Sequence, residues 1–431
     1  MRVLIFLLLV TCGLQACTGQ RIAPAAPQQV YQLATVPGYS DDIRFFGDQT
    51  PPQLQRMITQ VQQQISARVA REGKVPNGGA ADVLTLSGGG PDGAYGAGLL
   101  NGWSQRGGRP EFQLVTGIST GSLIAPLAFV GPSQNCELER LYTNLSTDDI
   151  LVEAIADAIF GNRLGLTDSS ALGDRIAEVL HDGMIDRIAA EHKKGRRLWV
   201  GTTNMDAQRP VVWDIGAIAS TDNPGRRKLI RDILLASASI PGVFPPVEII
   251  VEAPGGRFAE MHLDGGVTRQ IFFLPVQVKL NETSLNRQGA LRPGTVYALR
   301  NTKLDPSYEA VPASLLDITG RAISTLLKAA GVADIFVIKL QAQDNDFGLQ
   351  VTSVPEDFDA PENELFDAEY MRQLYAVGFQ RGLDGNAWRQ ELPTLNAPKI
   401  TTPPQGTENC DPLVDPDTLK EFRESLRRPD T

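Results

Sequence analysis

Three short stretches carry residue types suited to acyl-transfer chemistry, and each sits where an apolar run ends. Gly117-Ile118-Ser119-Thr120-Gly121 follows one such run and leads into Leu123-Ile124-Ala125. A serine between glycines at a strand-to-helix reversal is the setting of a nucleophile elbow: the glycines relieve crowding, and the Ser119 hydroxyl is left near the positive end of the helix. A plain glycine turn is the competing reading. Upstream, Ser87-Gly88-Gly89-Gly90-Pro91-Asp92-Gly93 follows the strand Val83-Leu84-Thr85-Leu86. Consecutive glycines can aim backbone N–H groups into one concavity, which suits the oxyanion formed when an ester carbonyl is attacked. Downstream, Asp264-Gly265-Gly266 closes the short strand Met261-His262-Leu263. Asp-Gly by itself is a turn signal. Beside a serine elbow, Asp264 becomes a carboxylate that can orient and deprotonate Ser119, provided burial lifts its pKa from the usual value of about 3.9.

Two rival chemistries can be weighed on the same residues. Gly88, Gly90 and Gly93 fit the Gly-x-Gly-x-x-Gly of dinucleotide binders. Against that, Asp92 puts a negative charge in the phosphate loop, and the next strand ends in a serine elbow rather than a ribose-binding acid. A Ser-Asp-His triad needs a histidine, and the chain has three: His181, His192 and His262. None follows Asp264, although an α/β-hydrolase of ordinary order has its histidine last. His181 and His192 lie in charged helical stretches where a solvated role is expected, and His262 shares a strand face with Asp264 and stays in reserve. A dyad without histidine is preferred. No His/Cys cluster has metal-ligand spacing, and no cofactor is expected.

The elements that must position these groups alternate between short β-rich runs and helical stretches from about residue 80, the pattern of an α/β domain with a mainly parallel sheet. Further strands are expected at Phe112–Thr116, Arg197–Thr202 and Thr295–Leu299, with helices after Ser119, at Ala171–Leu180, Arg231–Ala238, Ser314–Ala330 and Glu369–Arg381. Before them, Leu54, Met57, Ile58, Val61, Ile65 and Val69 recur at helical spacing, giving a helical extension over residues 51–79. Residues 17–50 are rich in Gln, Pro and Ala and read as a tether, and residues 386–431 as a Pro-rich tail, so the principal domain covers 80–385.

The chain has 431 residues, 42% hydrophobic and 21% charged, a composition for a globular protein. A net charge of -10 without a basic block excludes a general nucleic-acid binder. Arg2, the apolar run Val3–Val10 and Leu14-Gln15-Ala16 before Cys17 form a secretory signal over residues 1–16. That run is too short to span about 30 Å of hydrocarbon. The closing Leu-Gln-Ala-Cys resembles the lipobox of bacterial lipoproteins, which makes Cys17 the expected lipidation site, with a non-lipidated secretory peptide as the alternative. Several acyl chains would hold the protein to a membrane. Thr18 is not the Asp that marks inner-membrane retention, so the expected location is the cell envelope, at the outer membrane if the source is Gram-negative. Cys136 and Cys410 remain as either one disulfide or two thiols.

In order and content, the glycine loop, the Gly-x-Ser-x-Gly elbow and the downstream Asp-Gly-Gly resemble the patatin-like phospholipase family. Ala236–Pro246, ending Phe244-Pro245-Pro246, looks like the family's small-residue segment, and Phe366–Met371 with Leu374, Tyr375 and Gly378 is similar to the closing helices of bacterial members. The resemblance covers about residues 80–385. It implies a three-layer α/β/α fold with a mainly parallel central sheet, and a serine lipid acyl hydrolase working through an acyl-enzyme. Ser119 is then the nucleophile, Asp264 the base, and the amides of Gly88, Gly89 and Gly90 the oxyanion donors. The partners implied are a lipid or acyl-ester substrate and the membrane reached through Cys17. One departure stands out, because the family commonly has Arg or Lys where this chain has Asp92. It leaves a second reading, a non-catalytic envelope lipoprotein using the domain as a binding or assembly module.

Overall fold

Along each central strand, side chains alternate between two separate cores, the expected result when both faces of a sheet are covered. Leu84 and Leu86 pack into one core and Val83 into the other; Val115 and Leu114 divide in the same way, as do Val200 and Trp199. A computed structural model describes residues 21–144, 147, 152–153, 167–275, 278, 280, 291–308 and 310–390.

In chain order the elements are β1 (Arg44–Phe46), α1 (Leu54–Glu72), β2 (Ala80–Leu86), α2 (Gly93–Arg106), β3 (Leu114–Ile118), α3 (Thr120–Val130) and α4 (Asn135–Thr143). There follow the ribbon β4 (Val152–Glu153) and β5 (Thr167–Asp168), then α5 (Ser170–Val179), α6 (Asp182–Lys193), β6 (Arg197–Asn204), β7 (Arg209–Asp214), α7 (Ile215–Ala219) and α8 (Arg226–Ser237). The remainder is β8 (Val247–Ala253), β9 (Gly256–Asp264), β10 (Arg292–Arg300), α9 (Leu315–Asp344), β11 (Gly348–Ser353) and α10 (Ala368–Asp384).

The main sheet runs β1-β7-β6-β3-β2-β10-β11, with β9 paired to β6 and β8 to β9. From β6 to β11 neighbouring strands are parallel, while β1, β7, β8 and β9 pair antiparallel. One face carries α2, α3 and the helices from α5 to α8 together with α10; the other carries α1, the second half of α9 and the segment around Phe273. The architecture is therefore the three-layer α/β/α arrangement. The α2–α10 contact is backbone to backbone: a Cβ on Gly98 would lie 2.0 Å from the Tyr375 carbonyl oxygen, and one on Gly382 2.3 Å from that of Leu99. Those glycines set how closely α10 approaches the loop that starts α2.

The segment expected to be a tether is corrected over its described part. Arg44–Phe46 is a strand on β7, Phe45 is buried, and Arg21 is paired with Asp206 at 2.7 Å. Low hydrophobicity on either side of the three-residue run Arg44-Phe45-Phe46 concealed an edge strand. At the other end Gly385 caps α10 in the left-handed region (φ 71°), and Ala387 is still buried. The signal segment and Cys17, with Cys410 and the tail beyond residue 390, lie outside the described residues. Cys136 is an exposed free thiol.

Candidate active site

Ser119 and Asp264 are brought together by a change of partner along β6. Ile118, the last residue of β3, pairs with Gly201, and Asp264, the last residue of β9, pairs with the next residue, Thr202. β3 stops where β9 takes over the same edge, so the two strand ends deliver their terminal side chains to one point. The Ser119 hydroxyl lies near enough to the buried Asp264 carboxyl group to pull its pKa down.

The elbow itself is tightly built. Ser119 adopts φ 54° and ψ -127°, a conformation that a non-glycine residue holds only when its surroundings enforce it. Gly117 and Gly121 make this possible by close approach: a Cβ on Gly117 would lie 2.4 Å from the Gly121 carbonyl oxygen, and one on Gly121 2.5 Å from that of Leu86. The Ser119 amide donates to Ser237 Oγ at 3.1 Å, and the Ser237 hydroxyl donates to the Gly201 carbonyl at 2.7 Å. Ser119 directly precedes α3, whose N-terminal dipole favours negative charge at that point.

Asp264 is buried and held by the Gly266 amide on Oδ1 at 2.7 Å and by the Thr203 hydroxyl on its carbonyl oxygen at 2.9 Å. Its own amide donates to the Ser239 carbonyl at 3.1 Å. Burial pushes its pKa up to about 6, against the opposing pull of Ser119 and the Gly266 amide. The small-residue segment thus has a specific task that its composition did not reveal: Ser237 fixes the serine backbone and Ser239 the aspartate backbone.

The glycine loop lies over the serine. A Cβ on Gly88 would come within 3.1 Å of Ser119 Cβ and 3.8 Å of its Oγ, so any side chain there would cap the hydroxyl. One expectation needs correction. The Gly88 amide already donates to the Gln270 carbonyl at 3.1 Å, which leaves Gly89 and Gly90 as the loop amides available to an oxyanion. Gln270, in the loop after Asp264, was invisible to motif reasoning because its backbone makes the contact. Gly89 has φ 155°, and a Cβ on it would meet the Asn301 carbonyl at 2.7 Å.

Ser119 and Gly90 open onto a pocket walled by Leu123, Leu172, Leu234, Phe244 and Met371, with Tyr142 beside them. Its apolar lining suits a hydrocarbon chain. Asp92 is turned to α10, where the Tyr370 hydroxyl donates to its Oδ1 at 2.5 Å.

The histidines divide differently from expectation. His181 is exposed at the start of α6. His192 is buried rather than solvated, with Nδ1 3.5 Å from Asp214, and burial lowers its pKa to about 4. The charged residues around it in sequence fall on the other side of its helix. His262 bonds Thr202 Oγ1 at 2.9 Å and Glu260 at 3.1 Å, and Glu260 is paired in turn with Arg44 at 2.5 Å. Trp213 Nε1 donates to the same Thr202 oxygen at 2.9 Å. This occupied network braces β9 one pleat below Asp264.

A sheet covered on both faces with a strained serine between a strand end and a helix start defines an α/β protein of the serine-elbow class. Residues 84–276 match the family model of the patatin-like phospholipases. No curated protein matches the chain. Among solved structures it is similar to VipD from Legionella pneumophila, at 12% identity over 72% of this chain and 68% of that one, with a TM-score of 0.36. It is also similar to the ExoU–SpcU complex of Pseudomonas aeruginosa, at 15% identity over 72% and 53%, with a TM-score of 0.32. Human GIVD cytosolic phospholipase A2 matches at 9% identity over 66% and 51%, with a TM-score of 0.28. The match spans about half the length of the latter two.

Proposed function

We propose that the protein is a serine lipid acyl hydrolase of the phospholipase A, lysophospholipase or esterase type, with Ser119 and Asp264 as its catalytic dyad. The observation that carries this reading is the delivery of a buried carboxyl group and a strained serine by two strand ends to one point at the mouth of an apolar pocket. With Asp264 ionised, the Ser119 oxygen attacks the ester carbonyl carbon while its proton passes to Asp264. The oxyanion is met by the amides of Gly89 and Gly90 and by the N-terminus of α3. The C–O bond to the leaving alcohol then breaks, and Asp264 returns the proton to the alcohol. Water repeats the sequence on the acyl-enzyme, releasing a fatty acid and restoring Ser119. The acyl chain occupies the pocket bounded by Leu123, Phe244 and Met371.

With Asp92 in place of the usual cation, this reading favours neutral esters or lysolipids over anionic phospholipids. It also takes Cys17 as the lipidated residue that holds the enzyme to the cell envelope, which palmitate labelling lost in Cys17→Ser would support. The direct test is release of fatty acid from a phospholipid, and of nitrophenol from a short p-nitrophenyl ester, by wild type beside Ser119→Ala. Activity that disappears in the variant supports the reading. Wild type inactive on both substrates rejects it and favours the binding-module alternative.

A further inference from the structure

Helix α9 exposes a stripe of apolar residues along much of its length. In its first half, the half-buried Arg321 and Lys328 turn toward the preceding loop: the Arg321 guanidinium donates to the Ser307 carbonyl and Lys328 Nζ to Ser307 Oγ at 3.1 Å. The exposed stripe steps along positions 315, 319, 322, 326, 329, 333, 336 and 340 in alternating intervals of four and three, and every one of those residues is exposed. All but Thr319 are apolar, including Leu315 at 81% exposure, Leu326 at 70%, Phe336 at 49% and Leu340 at 61%. Ile318 and Ile323 widen the stripe, and Tyr308 stands almost fully exposed beyond the start of the helix. Contiguous apolar surface of this kind marks an interaction site, and a short helical stretch projecting into water gains little from its own hydrogen bonds.

We propose that this face of α9 docks the protein on a lipid bilayer. The proposal rests on the lipid-hydrolase reading, because such a substrate has to be taken from a membrane. A second copy of the chain fits less well. The stripe is about 38 Å long at 1.5 Å per residue and about 10 Å wide, so it offers only about 400 Å², half of the roughly 800 Å² per partner in a stable protein interface. Between Leu315 and Val337 it carries no charge, either on the stripe or on the positions flanking it, so it lacks the ion pairs that set register between paired helices. An uncharged apolar face with a tyrosine at its end matches the boundary between headgroups and hydrocarbon. The other side of α9 reaches the candidate site: Asp334 accepts from the Gln270 amide at 2.7 Å and from Arg269 at 2.8 Å, and Gln270 accepts from Gly88 beside Ser119. Docking through α9 therefore brings the membrane to the helix that supports the loops around the serine.

The test is flotation of the full chain with phosphatidylcholine vesicles, in a Cys17→Ser, Ser119→Ala background so that neither acylation nor turnover contributes. Leu326→Asp with Phe336→Asp should lower the vesicle-bound fraction at least about tenfold, with Leu326→Gln and Phe336→Gln as a milder pair, and both pairs should keep the parent melting temperature. Unchanged vesicle binding overturns the proposal. So does a shift from dimer to monomer on sedimentation without loss of vesicle binding, which would assign the face to a second copy. Short-ester hydrolysis by the Ser119-intact proteins separates the two readings. Vesicle binding that depends on the face without any ester hydrolysis keeps the docking and rejects the hydrolase, and hydrolysis with unchanged vesicle binding does the reverse.

Discussion

The Tyr370 hydroxyl and Asp92 Oδ1 are 2.5 Å apart, tying the glycine loop to the first turn of α10. That turn is itself fixed by Asp367, which accepts from the amides of Glu369 and Tyr370 at 2.9 and 3.1 Å. Phe366 and Met371 on either side of it line the pocket that also contains Gly90. Asp92 therefore works as a clip between loop and pocket wall. Burial pushes its pKa up to about 7, Tyr370 opposing and Glu362 adding to the rise.

A raised carboxyl pKa means the folded chain keeps a proton that the unfolded chain gives up, so this group costs stability as pH rises from about 3.8 to about 7. Asp92→Asn still accepts from Tyr370 and cannot ionise. Its melting temperature should gain on wild type progressively across that window and hold a constant advantage above it. An unchanging difference from pH 4 to pH 8 would show that Asp92 is not protonated in the fold.

Asp264 has the same sign of shift with a different consequence, because the proposed mechanism uses its ionised form. kcat/KM on a short ester should rise with pH through about 6 and then level off. The price is stability above that pH: Asp264→Asn should be inactive yet more stable than wild type by up to about 3 kcal/mol, an advantage that fades below the ordinary carboxylate pKa. Denaturant titrations at pH 8 and pH 4 check the sign.

Strain at the elbow can be read separately. Ser119 sits at φ 54°, and glycine relieves about 1–3 kcal/mol of such strain while alanine keeps it. Ser119→Gly should therefore unfold at higher denaturant than Ser119→Ala, although both lose activity. Equal midpoints would mean that the elbow is not strained.

The elements around this candidate site were largely legible in the sequence, for reasons that particular residues make plain. Ser119 and Asp264 were visible because an elbow glycine and a strand-ending Asp-Gly are local requirements, and the strand at Val83–Leu86 because an apolar run before three glycines has few other uses. What stayed hidden depends on tertiary pairing. β8 and β11 are short strands with mixed sequence, defined by neighbours far away in the chain. The Gly88 amide is occupied by a carbonyl on Gln270, and His192 is buried by the face it happens to occupy, which charge density along the helix does not show.

The brace beneath Asp264 makes a stability prediction independent of catalysis. Glu260, its pKa held down at about 2 by Arg44 and His262 despite burial, is bidentate with Arg44, at 2.5 and 3.0 Å. Removing one member leaves a buried charge unpaired, so Glu260→Ala should cost about 3–5 kcal/mol, whereas replacing Arg44 and Glu260 together by Met and Leu should cost much less. Urea unfolding of the three proteins at neutral pH distinguishes a desolvated pair from a solvated one, for which the single change would cost under about 1 kcal/mol.

The central claim, that Ser119 is a nucleophile activated by Asp264, is tested most directly by covalent trapping. Wild type is treated with a fluorophosphonate and the labelled peptide is identified by mass spectrometry. The account predicts one adduct, on Ser119, formed at least about 100-fold more slowly in Asp264→Asn. An adduct on another serine, no adduct at all, or an undiminished rate in Asp264→Asn would contradict it.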